Sequence, residues 1–75
     1  MDKLLTALTR IERDLRDRRE AVVSLSDYID AMQSMGIKVN DETLTVEMLK
    51  GEISTLSVRQ SMLTRVLRRT HARPR

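Results

Sequence analysis

The side chains able to do covalent or metal chemistry are few in this sequence. His71 is the sole histidine, and cysteine is absent. There is therefore no thiolate nucleophile, no disulfide framework and no Cys/His metal set. A single imidazole so close to Pro74 reads as an exposed residue at a helix end rather than as a ligand or the base of a triad. Two glycines, Gly36 and Gly51, stand far apart and form no phosphate-cradling loop. The carboxylates between Arg10 and Glu20 alternate with arginines. Opposite charges sit four residues apart in Arg10/Asp14, Glu12/Arg16, Arg13/Asp17, Asp14/Arg18 and Arg16/Glu20. That spacing supports a solvated helix face; it does not converge carboxylates on a pocket. No catalytic residue, cofactor or metal is expected, and the sequence reads as non-enzymatic.

The remaining charge is concentrated at one end. Arg65, Arg68, Arg69, Arg73 and Arg75 occupy residues 65–75 with no acid, although the net charge of the whole chain is only +3. Cations are favoured at a helix C-terminus, and Pro74 ends one. The alternative is an electrostatic contact with nucleic acid or an acidic protein. Aromatic side chains for base stacking are missing there, and no helix-turn-helix pattern is present. A homodimeric four-helix bundle that binds nucleic acid through this terminus is accordingly the second reading of function.

The elements that position these groups follow from hydrophobic spacing. Leu4, Leu8, Ile11, Leu15, Val22, Leu25, Ile29 and Met32 recur at intervals of four and three, with Arg18 as the single break. Val46, Leu49, Ile53, Leu56, Leu63 and Leu67 repeat the pattern, with Gln60 as the break. Both are coiled-coil seams. Gly36 suits the left-handed position after a helix end, with Ile37 folding back onto Met32. Asn40 is the expected N-cap, followed by Asp41 and Glu42 in a first turn that favours acids. Val39 and Leu44 are spaced for a hydrophobic staple. The expectation is one all-α domain, an antiparallel two-helix hairpin: helix 3–35, turn 36–40, helix 41–71 and a basic tail 72–75.

A short turn makes the helices antiparallel neighbours. The expected register sets Met32 against Val46, Ile29 against Leu49, Leu25 against Ile53, Val22 against Leu56, Leu15 against Leu63 and Ile11 against Leu67. It also sets Arg18 against Gln60, so both interruptions fall in one layer. That layer is read either as a snorkelling arginine at the edge of a thin seam or as a polar layer that fixes alignment. Asp14, Asp17 or a partner's carboxylate would complete the second.

Beside the seam the two flanks differ. One carries Ala7, Ala21, Tyr28, Ala31 and Met35 from the first helix and Met48, Thr55, Met62 and Val66 from the second. The other is polar apart from Leu5 and Val23. Small residues, methionines and a tyrosine suit close approach of another helix. The candidate partner-binding residues are therefore Ala21, Tyr28, Ala31, Met35, Met48, Thr55, Met62 and Val66. The partner is either another protein or a second copy in a dimer or tetramer. Gly51 sits mid-helix, where glycine costs up to about 1 kcal/mol against alanine.

A chain of 75 residues with one aromatic and no cross-link can barely bury a core sufficient by itself. Oligomerisation or docking on another protein is the expected remedy. The Met-Asp-Lys start lacks a secretory hydrophobic stretch and no apolar run approaches the ~20 residues of a membrane span, so a cytoplasmic location is expected.

Two long amphipathic helices joined by a short Gly-containing turn, with the stretch Val46-Glu-Met-Leu-Lys-Gly-Glu-Ile-Ser-Thr-Leu56, resemble the small E-type co-chaperones of bacterial type III secretion. The resemblance covers most of the chain; the Arg-rich terminus departs from it. It implies a cytoplasmic hairpin that works with a helical-repeat chaperone to keep the needle subunit soluble and unpolymerised before secretion.

Overall fold

The computed structural model describes residues 2–72; Arg73 and Arg75 of the basic tail lie outside the described residues. It is an all-α hairpin of α1 (Asp2–Ser34) and α2 (Asn40–Ala72), packed side by side in a rod of 64 × 15 × 14 Å. The boundaries fall within a residue or so of those expected from the heptads.

The turn is closed by backbone geometry. Gly36 takes φ +76°, the left-handed region open to glycine without steric cost. The Ile37 N–H donates to the Met32 carbonyl at 2.9 Å and the Gly36 N–H to Gln33 at 3.0 Å. This pair of bonds is the Schellman arrangement, which satisfies the last carbonyls of α1. The start of α2 differs from expectation. The Thr43 N–H donates to the Val39 carbonyl at 3.0 Å, so Val39 occupies the cap position and Asn40 is already the first helical residue. Val39 is buried whereas Leu44 stays 63% exposed, so the expected staple does not form. Burial of Val39 takes precedence over a side-chain cap at this helix start.

The core is thin. Ile11, Leu15, Val39, Val46 and Leu56 are the buried apolar residues, and Leu15 is the most enclosed at 1% exposure. Ile11, Leu15 and Leu56 form one cluster, with Ile53 and Leu63 packed against it. Leu15 thus packs in one cluster with Leu56 as well as with the expected Leu63, and the Arg18 Nε donates to Glu52 Oε1 at 2.8 Å. Had Arg18 stood opposite Gln60, Glu52 would lie eight residues, about 12 Å, further along the rod. Adding ~8–10 Å between helix axes puts that distance beyond the reach of the two side chains.

The register is therefore shifted from the expected one: Arg18 lies beside Glu52, eight residues before Gln60, so the two breaks are not paired. A repeating seam admits more than one alignment, and the turn carries Val39 into a buried position.

Candidate interaction surface

Two groups of candidate residues emerge, one polar at mid-rod and one apolar on the surface. Arg18 springs from the seam but turns to its edge. Besides the bond to Glu52, its Nη1 donates to the Asp14 carbonyl at 3.4 Å. The side chains remain one-third and one-half exposed. The hydrogen bond that Arg18 donates to Glu52 raises the Arg18 pKa above its ordinary value, and the neighbouring Asp14 and Asp17 act in the same direction. A solvent-open pair of this kind contributes little to stability; what it does is tie one level of α1 to one level of α2. Glu52, rather than Asp14, Asp17 or Gln60, is its partner. The five (i, i+4) charge pairs of α1 do not close: among the described residues the only other ion pair is Lys50–Glu47, at 3.8 Å. They form a solvated face.

The expected partner-binding flank is on the surface. Tyr28, Ala31, Met35, Met48, Thr55, Met62 and Val66 are exposed, and Ala21 is half-buried. Met48 at 67% and Met62 at 58% are among the most exposed large apolar side chains of the chain. A groove of about 580 Å³ runs along α2 between Met48, Gly51, Glu52, Thr55 and Leu56. Its floor is apolar, and the Arg18–Glu52 pair borders it.

Reading only the residues that flank the main seam misses part of this surface. Leu44 and Val58 are also exposed, at 63% and 61%. Together with the methionines they complete a second seam on α2: Leu44, Met48, Gly51, Thr55, Val58 and Met62, again spaced four and three. Thr55 belongs to it through its methyl group, because its hydroxyl donates to the Gly51 carbonyl at 3.2 Å. This spacing was available in the sequence, hidden behind the stronger seam that faces α1. α2 is thus apolar on two sides, and α1 covers one.

Gly51 sits at the middle of the outer seam. A Cβ built there meets nothing within 4 Å, so the hairpin's own packing does not require glycine at this site.

At the open end, Arg65, Arg68 and Arg69 are exposed. Arg65 and Arg68 line a separate groove of about 290 Å³ with Gln60, Ser61 and Thr64. Among the described residues no group of three His, Asp or Glu is placed to hold a metal ion, and no helix is long and apolar enough to cross a membrane.

No protein-family model, curated protein or solved structure matches this chain.

Proposed function

We propose that this chain is a non-enzymatic interaction module that covers an apolar helix of another protein. The observation that carries the reading is the exposed flank formed by Tyr28, Met35, Met48, Met62 and Val66. Contiguous apolar surface of this kind marks interaction sites in soluble proteins, and methionines let such a surface adapt to an imperfect partner. The preferred occupant is an amphipathic helix whose apolar residues recur every three and four positions. The co-chaperone role implied by the sequence resemblance is the particular form we favour: the hairpin shields a needle-subunit helix that would otherwise self-assemble, in company with a helical-repeat chaperone in the cytoplasm.

Photo-crosslinking tests this reading. A benzophenone amino acid placed at Met62 or Val66 in cells should give adducts with a helical segment of another protein. The same probe at Leu5 or Val23 on the polar flank should not. Met62→Glu should abolish the complex while leaving the helical circular dichroism intact. Equal labelling from both flanks, or adducts only with the chain itself, would overturn the proposal.

A further inference from the structure

The outer seam of α2 is self-complementary. Laid antiparallel on a second α2, Leu44 meets Met62, Met48 meets Val58, and Gly51 meets Thr55, each pair occurring twice about a two-fold axis level with Ile53. The bulky pairs fall at the ends and the small pair at the centre, where two helix backbones come closest. The polar residues that bound the seam also match: the next layer outward sets Asp41 against Arg65. More broadly, residues 40–55 of α2 carry Asp41, Glu42, Glu47 and Glu52 against Lys50 alone. Residues 56–72 carry Arg59, Arg65, Arg68 and Arg69 with no acid. An antiparallel copy sets each acidic half beside a basic half; a parallel copy sets like beside like. A closed pair of this type uses the same patch on both subunits, as two-fold interfaces do.

The surface area points the same way. The chain exposes 5938 Å², whereas a compact monomer of 8.7 kDa exposes ~4,700 Å². Its radius of gyration is 17.4 Å against ~11 Å for a compact domain of this length. Withdrawing the excess of ~1,200 Å² on each of two copies gives ~2,400 Å² in total, within the range of obligate homodimers.

We infer that a second copy of this chain occupies the outer α2 seam, head to tail, with Gly51 and Thr55 at the two-fold axis. Gly51 is explained by this arrangement, since a side chain there would hold the two helices apart. The seam shares Met48, Thr55 and Met62 with the flank assigned above to another protein, and on that reading a client helix must displace the second copy. The dimer itself stands on the seam alone.

The absence of cysteine makes the geometry directly measurable with one spin label at Ser34→Cys, an exposed site near the turn. Ser34 ends α1 beside the start of α2 at Asn40, thirteen residues from the axis. The labels of a head-to-tail pair should therefore lie ~40 Å apart, at ~1.5 Å per residue on either side of the axis. A head-to-head pair would bring them within ~25 Å. Asp41→Arg and Arg65→Asp should each weaken self-association about tenfold or more, and the double variant should restore it. A monomer at all concentrations, a short label distance, or a double variant no better than the singles would overturn the inference. Val58→Glu separates it from the hetero-partner reading: it should dissociate the dimer while leaving the Val66 crosslink to another protein in place. If Val66 gives no such crosslink in the otherwise unaltered chain while that chain is a dimer, the partner reading fails and the dimer stands.

Discussion

Gly51 separates what the hairpin alone prefers from what its outer seam prefers. It lies mid-helix in α2, and a Cβ there meets nothing within 4 Å. Alanine should therefore bring the propensity gain without a steric cost, about 0.8–1.0 kcal/mol. In a domain of this size 1 kcal/mol shifts the melting temperature by roughly 4–8 °C. The clean assay is thermal unfolding by circular dichroism in a Val58→Glu background, where self-association is removed and only the hairpin is read. Gly51→Ala should melt ~4–8 °C higher there. In the otherwise unaltered chain, Gly51→Leu should leave the protein helical while converting dimer to monomer, because the leucine would stand in the closest layer of the paired seam. A lower melting temperature for Gly51→Ala in the Val58→Glu background would show that the hairpin itself requires glycine. A Gly51→Leu protein that still dimerises would refute the close-approach argument.

Three further outcomes follow from the fold. Leu15→Ala should cost about 2–5 kcal/mol, a large share of the ~4–11 kcal/mol available to a chain this short, and should leave the protein mostly unfolded at 37 °C by circular dichroism; retained cooperative melting near the original temperature would contradict the assigned core. Gly36→Ala should lower stability by about 1–2 kcal/mol in urea titrations, since a side chain at positive φ is strained even in open space; an unchanged midpoint would count against the turn geometry. The register is tested by paired cysteines in the Val58→Glu background: Arg18→Cys with Glu52→Cys should close rapidly with a short bis-maleimide, and Arg18→Cys with Gln60→Cys slowly; the reverse order would restore the expected alignment.

Much of the fold was legible in the residues. The heptads define two helices, Gly36 marks their junction, and the brevity of the turn makes them antiparallel. What the residues could not fix was alignment, because a repeating seam offers more than one register and the Arg18–Glu52 contact is what excludes the expected one. Asn40 looked like a cap by residue type, yet burial of the adjacent valine moved the helix start back by one residue. The flank of Tyr28, Met35, Met48, Met62 and Val66 was readable from the positions beside the seam. Leu44 and Val58 were not, since on a wheel centred on the main seam they fall on the outer side and look like scattered surface apolar residues. Only their joint exposure with Met48 and Met62 reveals a second seam.

The central claim is that the apolar surface left by this hairpin is covered by another chain, with a second copy as its resting occupant. Native mass by light scattering at micromolar concentration and low salt tests it most directly. A second copy on the outer seam gives twice the chain mass of 8.7 kDa, with self-association weakening, not vanishing, as ionic strength screens the antiparallel charge match. A well-folded, highly helical species that holds the mass of one chain at every concentration and salt would contradict it.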